Sequence, residues 1–192
     1  HLTQAADQGH HVRGCDASIE VGKAVLNFVG QILGADMIGT RRFRRIGFIA
    51  ASETFNQKNV NASIDDTLAS LKELVGLCRK KEKFIRIYVS TVFGCPYEGP
   101  IDQTKLLHLL KKVAELNADE ISLSDTIGVA LPAQVKRIVA EFSKMFPLNK
   151  TALHFHDTYG MALANVQAGY EAGVRSFDGS TGGVGGCPYA KG

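Results

Sequence analysis

Residues 84–89 read Phe84-Ile85-Arg86-Ile87-Tyr88-Val89, a run of β-branched and aromatic residues that predicts a short β-strand. A loop that contains Gly and Pro follows at 93–100. Asp102 then stands where a helix cap is expected, ahead of apolar residues at helical spacing through Val113. A strand, a loop and a helix in this order predict one βα unit of a parallel sheet.

The same unit recurs along most of the chain. Four further strands are predicted at 46–51, 120–123, 151–155 and 174–177. Helices are predicted from Ser63, from Pro132 and over 161–172, and the polar residues 52–61 are interpreted as a loop. Strands that alternate with helices at intervals of about thirty residues indicate an α/β fold, either doubly wound or closed into a barrel. In both folds, ligands bind at the carboxyl ends of the strands.

Composition and charge exclude several classes of partner. The 192 residues are 45% hydrophobic and 21% charged, and a net charge of +3 is too small to indicate nucleic-acid binding. No apolar run approaches the ~18 residues of a membrane span. The four cysteines, Cys15, Cys78, Cys95 and Cys187, are scattered, which predicts reduced thiols in an intracellular compartment.

The first 44 residues do not fit the alternating pattern. Apolar residues recur at helical spacing from Ile19 to Leu33 and predict one amphipathic helix, but no convincing strand precedes it. We therefore divide the chain into an unassigned N-terminal segment, 1–44, and an α/β domain, 45–192.

Two histidines one residue apart, His154 and His156, lie at the end of the predicted strand 151–155. Side chains alternate along a strand, so both imidazoles are expected to point to the same side. Two neutral imidazoles on one face, near the carboxyl end of a strand, form half of a divalent-metal site. The alternative, which the pair alone leaves open, is two histidines that are packed and hydrogen-bonded without a metal.

Three aspartates also follow predicted strands: Asp125, Asp157 and Asp178. Asp125 is expected at the same end of the sheet as the histidines, where a carboxylate can orient a metal-bound water, position a substrate or transfer a proton. Asp157 and Asp178 are candidates for orienting an imidazole through its second nitrogen. For all three, the alternative is a carboxylate that caps the next loop or helix.

Cys187 lies in the segment Gly182-Gly183-Val184-Gly185-Gly186-Cys187-Pro188-Tyr189. Such a density of glycine predicts a mobile loop or a close approach of the backbone to a ligand. A thiol in that position is a candidate acid, base or nucleophile if its surroundings lower its pKa. The alternative is an unreactive thiol in a flexible segment.

Several segments together resemble the hydroxymethylglutaryl-CoA lyase family. They are Ala51-Ser52-Glu53-Thr54-Phe55 with Lys58-Asn59-Val60-Asn61, Phe93-Gly94-Cys95-Pro96-Tyr97-Glu98-Gly99, Ser124-Asp125-Thr126-Ile127-Gly128-Val129, His154-Phe155-His156-Asp157-Thr158-Tyr159-Gly160 and Gly185-Gly186-Cys187-Pro188-Tyr189-Ala190. The histidine motif is shared with the isopropylmalate and homocitrate synthases, whereas the glycine–cysteine motif is typical of the lyase branch. The resemblance covers about residues 45–192 and identifies them as a partial TIM-barrel lyase domain.

The resemblance implies a (β/α)₈ TIM barrel, of which about five βα units are expected here, holding one Mg²⁺ or Mn²⁺. It implies an enzyme of leucine degradation and ketone-body formation that cleaves the acyl-CoA substrate 3-hydroxy-3-methylglutaryl-CoA to acetyl-CoA and acetoacetate. His154 and His156 are then metal ligands, and His154 also takes part in proton transfer. Cys187 becomes the catalytic cysteine and Asp125 an active-site aspartate. The family's location is the bacterial cytoplasm or the mitochondrial matrix, and a homodimer is left open.

Two motifs of the family have no counterpart in this sequence. The R-D-G-x-Q strand, whose Arg meets the substrate and whose Asp binds the metal, is not matched by Arg13-Gly14-Cys15-Asp16, which has a different spacing. The G-N segment, whose Asn is another metal ligand, follows the cysteine loop in the family, whereas this sequence stops at Gly192. Three hypotheses therefore stay open: a lyase impaired by truncation, a non-catalytic remnant of the lyase, or a related acyl-CoA condensing enzyme.

Overall fold

The computed structural model describes residues 44–179 and 189–190. Five strands form one sheet in the order β1-β2-β3-β4-β5. The strands are β1 (Arg44–Ala50), β2 (Phe84–Ser90), β3 (Glu120–Asp125), β4 (Thr151–Phe155) and β5 (Ser176–Phe177). The helices are α1 (Glu53–Val60), α2 (Ile64–Lys80), α3 (Gln103–Glu115), α4 (Pro132–Ser143) and α5 (Ala162–Glu171), with a 3₁₀ turn at Leu148–Lys150.

Strands that are neighbours in sequence are also neighbours in the sheet, and every pair is parallel. At least one helix lies in each crossover, which confirms the expected α/β class and the count of about five βα units. The strand order does not reverse at any point in the described sheet. A constant order is typical of a barrel segment, whereas a doubly wound sheet changes direction at a switch point.

The sheet has one apolar and one polar face, because successive side chains along each strand point to opposite sides. Ile87, Leu123 and Leu153 face the helices and are fully buried in a core that they share with residues of α2, α3 and α4. The opposite face carries mostly polar side chains, including Arg86, Tyr88, Ser122, Ser124 and His154. In a closed barrel this second face lines the interior.

One segment that we interpreted as a loop is the helix α1. Its sequence has too few apolar residues for a helical period, so the pattern gave no signal. The helix is instead held by hydrogen bonds: Ser52 Oγ accepts from the Phe55 N–H at 3.0 Å, and Asn56 Oδ1 accepts from the Ala50 N–H at 2.9 Å. The loop interpretation was therefore wrong, because the cap at Ser52 is a local signal for a helix that the missing apolar period does not cancel.

The predicted helix caps are confirmed. Ser63 Oγ accepts a hydrogen bond from the Asp66 N–H, and Asp102 Oδ1 accepts one from the Lys105 N–H. The last strand is shorter than predicted and covers only Ser176–Phe177. In the part of the chain that the structure describes, Cys78 and Cys95 are both free and buried, as expected for reduced thiols.

The helix predicted between Ile19 and Leu33, Cys15 and Cys187 lie outside the described residues. The boundary between 1–44 and 45–192 therefore stays a prediction. No helix within residues 44–179 and 189–190 has both the length and the apolar character needed to cross a membrane.

The close packing of β1 on α2 can be tested at Gly47. A Cβ at this position would overlap the side chain of Leu71, which is fully buried. We expect Gly47→Ala to lower the free energy of unfolding by about 1–3 kcal/mol, because Leu71 must shift within a close-packed core. Urea unfolding followed by circular dichroism measures the change.

Gly76→Ala on α2 is the matched control. A Cβ at Gly76 meets no atom within 4 Å, and alanine is the better helix former. This variant should raise the free energy of unfolding by about 0.5–1 kcal/mol. Equal stability of the two variants would contradict the packing described for Gly47.

Candidate active site

The histidine pair lies on the polar face at the carboxyl end of β4. Ser124 of β3 is opposite His154, and His156 follows on the same side of the strand. The Nε2 atoms of the two imidazoles are 3.2 Å apart. The structure therefore brings the two predicted metal ligands together, while their role as ligands stays a prediction.

Asp178 lies directly behind His154. Its Oδ2 is 3.0 Å from Nδ1 of His154, and its Oδ1 is 2.8 Å from Nη2 of Arg86. An ionised carboxylate can only accept hydrogen bonds, so this contact assigns the proton of His154 to Nδ1 and leaves the Nε2 lone pair facing His156. Of the two interpretations of Asp178, contact with an imidazole is the one observed.

The pKa of the Asp178 carboxyl reflects these contacts. Burial alone would raise this pKa, but the hydrogen bond with His154 and the positive charge of Arg86 outweigh burial and hold the pKa below its ordinary value. The carboxyl group is therefore ionised at neutral pH, as its role as hydrogen-bond acceptor requires.

His156 is held in its neutral form. Its pKa lies below the ordinary value because burial disfavours the imidazolium, and protonation of the neighbouring His154 ring acts in the same direction. A metal binds the lone pair of a neutral imidazole, so this environment suits a ligand.

The two imidazoles fit a divalent cation in spacing as well as in type. Adjacent ligands of an octahedral ion with bonds of about 2.1 Å lie about 3.0 Å apart, close to the 3.2 Å between the Nε2 atoms. Among residues 44–179 and 189–190, no group of three or more His, Cys, Asp or Glu side chains could hold a metal ion. The described residues therefore fit as two ligands and not as a whole coordination shell.

Asp125 is buried at the end of β3, and its carboxylate contacts the loop that follows. Phe155 and not His154 is its partner in register, so the pleat places Asp125 on the helix-facing side. Its two oxygens accept from the N–H groups of Val129 and Ala130 at 2.9 and 3.0 Å. Asp125 therefore caps the loop that follows its strand, which was the alternative to a catalytic role. Its role in catalysis stays a prediction.

Burial raises the pKa of the Asp125 carboxyl above its ordinary value. The backbone hydrogen bonds from the 128–130 loop and the nearby charge of His154 act in the opposite direction without cancelling the effect of burial. The carboxyl therefore takes up a proton more readily than an exposed aspartate would.

Asp157 also shows the contact of a cap: its Oδ1 accepts from the Ala162 N–H at 2.8 Å.

Arg86 contacts the site through Asp178, although the sequence indicated only that it belongs to a strand. A signal for it was present, because an arginine between Ile85 and Ile87 in a run predicted to be buried requires a charged partner in the fold.

Residues of three motif segments meet near the first strand-to-helix connection. The Cys95 Sγ lies 3.0 Å from the Ser52 Oγ. Tyr189 packs on the same region, with its ring centroid 5.1 Å from that of Phe55 and 6.1 Å from that of Tyr97. Cys187, two residues before Tyr189, lies outside the described residues, so its predicted catalytic role stays a prediction.

Fold and site together define a barrel-type α/β domain with a polar site at its strand ends. More particularly, the chain belongs to the HMGL-like family, whose model matches residues 38–188. The hydroxymethylglutaryl-CoA lyase YngG of Bacillus subtilis is 47% identical over 145 residues, which are 76% of this chain and 48% of the relative. The mitochondrial hydroxymethylglutaryl-CoA lyase of Bos taurus is 40% identical over 193 residues, which cover 100% of this chain and 58% of the relative.

The bovine alignment includes the first 44 residues, in which we found no resemblance to the lyase. The alignment with the B. subtilis lyase covers a smaller share of the chain. The chain spans about half the length of the B. subtilis relative and 58% of the bovine one. The resemblance inferred from the motifs is thus confirmed, for a chain that matches part of each relative.

Solved structures agree with this assignment. The HMG-CoA lyase of Bacillus subtilis matches with a TM-score of 0.74 and 46% identity, over 78% of this chain and 50% of that chain. The HMG-CoA lyase of Acinetobacter baumannii, in complex with coenzyme A and 3-methylmalate, matches with a TM-score of 0.72 and 38% identity, over 77% of this chain and 48% of that chain. The fold expected from the resemblance, a TIM barrel present in part, is confirmed.

The capping contacts of Asp125 can be tested by removing its carboxylate. We expect Asp125→Ala to lower the free energy of unfolding by about 2–4 kcal/mol, because two N–H groups at the 128–130 loop lose their acceptor. Asp102→Ala, which removes an exposed helix cap, is the control and should cost about 0.5–2 kcal/mol. Urea unfolding measures both, and a loss at Asp125 no larger than at Asp102 would contradict the buried cap.

Proposed function

We propose that this chain is part of a lyase that cleaves 3-hydroxy-3-methylglutaryl-CoA to acetyl-CoA and acetoacetate. The observation that carries the proposal is the pair of Nε2 atoms, from His154 and His156, 3.2 Å apart at the carboxyl edge of the sheet. Relatives that match the same residues are named for this activity. Because the chain spans only part of their length, the activity is assigned to the whole protein, and the described residues supply part of its site.

In this proposal, His154 and His156 bind one Mg²⁺ or Mn²⁺ through their Nε2 atoms. Such an ion, when bound beside the substrate, supplies Lewis acidity that polarises the substrate's hydroxyl and carbonyl oxygens. Asp178 supports the binding because it holds His154 in the tautomer whose Nε2 is free. The lowered pKa of His156 keeps its ring neutral and available.

The cleavage itself requires two proton transfers. A base takes the proton of the tertiary hydroxyl, and the oxygen becomes the new ketone of acetoacetate as the adjacent carbon–carbon bond breaks. The electrons of that bond pass to the methylene carbon next to the thioester, which becomes an enolate and takes a proton to complete acetyl-CoA. We assign the first transfer to Asp125, whose carboxyl takes up a proton more readily than an exposed aspartate would, and the second to the thiol of Cys187. The part of His154 in proton transfer stays a prediction, because its Nδ1 faces Asp178 and its Nε2 is assigned here to the metal.

The substrate class and the compartment follow from the relatives in the same proposal. The A. baumannii lyase is in complex with coenzyme A, which supports an acyl-CoA substrate for this chain. The bovine relative is named mitochondrial and a human relative cytoplasmic, so we infer one of these two compartments. A homodimer stays a prediction.

Metal titration tests the histidine pair. We expect the chain to bind Mn²⁺ with an affinity in the micromolar range, measured by isothermal titration calorimetry. His154→Ala and His156→Ala should each weaken binding by at least about 10-fold, because removing a ligand costs more than disturbing the contacts behind it.

His108→Ala is the control, since His108 is exposed on α3 and away from the polar face. It should leave the affinity for Mn²⁺ unchanged. If the unsubstituted chain binds no Mn²⁺, or if all three variants bind as it does, the proposed metal site is wrong and the non-catalytic remnant is favoured.

Replacement of the loop cysteine tests its catalytic role. We expect Cys187→Ala to lower the rate of acetyl-CoA release by about 100-fold or more, because general acid catalysis typically contributes that much. The affinity for Mn²⁺ should stay within about twofold, since the thiol is not assigned as a ligand. The assay follows acetyl-CoA release from 3-hydroxy-3-methylglutaryl-CoA without an added 2-oxo acid.

Cys78→Ala is the matched control for this experiment. Cys78 is buried in the helix-facing core, where burial raises the pKa of its thiol, and it should affect stability rather than turnover. Full activity of Cys187→Ala would refute the role of that thiol. Consumption of acetyl-CoA that requires a 2-oxo acid would instead identify a condensing enzyme.

A further inference from the structure

Arg86 is a buried cation in the middle of β2, with only 8% of its surface exposed. Its Nη2 lies 2.8 Å from Oδ1 of Asp178, and its Nε lies 3.3 Å from Oε2 of Glu120. Glu120 is held in turn by the Ser176 hydroxyl, which donates to its Oε1 at 2.9 Å. The guanidinium therefore joins two carboxylates on the polar face of the sheet.

Asp178 lies between Arg86 and His154 and uses a different carboxylate oxygen for each. Oδ1 pairs with Arg86, and Oδ2 faces Nδ1 of His154 at 3.0 Å. The contact of Oδ1 with the guanidinium is a close ion pair that keeps the Asp178 carboxylate charged and draws it toward Arg86, which leaves Oδ2 on the side of His154. The orientation of the His154 imidazole then depends on Arg86, although Arg86 makes no hydrogen bond with that ring.

Arg86 also acts on the same imidazole through Tyr88. The guanidinium lies 4.7 Å from the centroid of the Tyr88 ring, within the range of a cation–π contact. The Tyr88 ring meets the His154 ring edge to face, with centroids 6.2 Å apart and an interplanar angle of 84°. Two sides of His154 are therefore bounded by groups that Arg86 contacts.

We propose that Arg86 is a positioning residue of the candidate site: by holding Asp178, it fixes His154 in the tautomer that carries its proton on Nδ1 and presents the Nε2 lone pair to a metal. The tautomer is a property of this chain alone. Only its consequence for metal binding rests on the proposed function.

An ion pair that merely stabilises the sheet is the alternative. Such a pair would affect the free energy of unfolding but not the tautomer of His154. The two possibilities are therefore separated by a measurement on the imidazole itself rather than by stability or activity.

The experiment compares the ¹⁵N chemical shifts of His154 in the unsubstituted chain and in Arg86→Gln, at a pH well above the ordinary pKa of histidine. The unsubstituted chain should show protonated Nδ1 and unprotonated Nε2. In Arg86→Gln, the proton should redistribute toward Nε2, and Arg86→Lys should restore the original pattern only in part, because lysine keeps the charge but not the fork.

Two variants serve as controls. Glu120→Gln removes the other carboxylate on Arg86 and should leave the His154 tautomer unchanged, since Asp178 keeps its partner. Arg137→Gln makes the same chemical change at an exposed site on α4 and should have no effect. If Arg86→Gln does not fold, the charge-balanced double variant Arg86→Gln, Glu120→Gln takes its place in the comparison.

A second readout is the affinity for Mn²⁺, which should fall about tenfold in Arg86→Gln or in the double variant, as is typical when contacts behind a ligand are lost. An unchanged tautomer in these variants overturns the positioning role whatever the metal does. Absence of Mn²⁺ binding by the unsubstituted chain overturns the proposed function instead, and the tautomer still decides the role of Arg86.

Discussion

The candidate site depends on the register between two parallel strands. Leu123 lies opposite Leu153, and Ser124 lies opposite His154, along β3 and β4. Side chains alternate with a period of two, so a slip of one residue would exchange the faces of the whole strand. The leucines would then be exposed to the polar face, and the histidines would be buried among helix side chains. The apolar core therefore determines the face of the sheet on which the histidines lie, although the core residues form no part of the candidate site.

The polar face of the sheet carries charged side chains that are largely shielded from water, so each of them needs a partner within the protein. Arg86, Glu120 and Asp178 form a group of ion pairs, in which each carboxylate has a cation or a hydroxyl as partner. Leaving any one of them alone would cost several kcal/mol, because a buried charge without a partner has lost its hydration. The carboxylate that pairs with Arg86 also accepts the proton of His154 Nδ1. The need to pair buried charges therefore also determines the tautomer of His154.

Much of the fold could be predicted from local patterns. The strands have β-branched runs, the caps at Ser63 and Asp102 precede apolar periods, and the alternation of strands and helices indicates a parallel sheet. The helix α1 was missed because no apolar period marks it, although Ser52 caps it in the same way as Ser63 caps α2. The contacts of Asp125 and Asp157 were ambiguous, since a carboxylate after a strand can cap a loop or face a ligand.

The sequence by itself determined that His154 and His156 share one side of a strand, because a period of two follows from the backbone alone. It also determined the family, since the motifs are specific in type and spacing. Only the tertiary structure decided which groups stand behind those histidines. Arg86 and Asp178 are 92 residues apart in number and meet because β2 carries the first and the second directly follows β5 in the same sheet. Such a contact depends on the packing of distant strands, and no local pattern contains it.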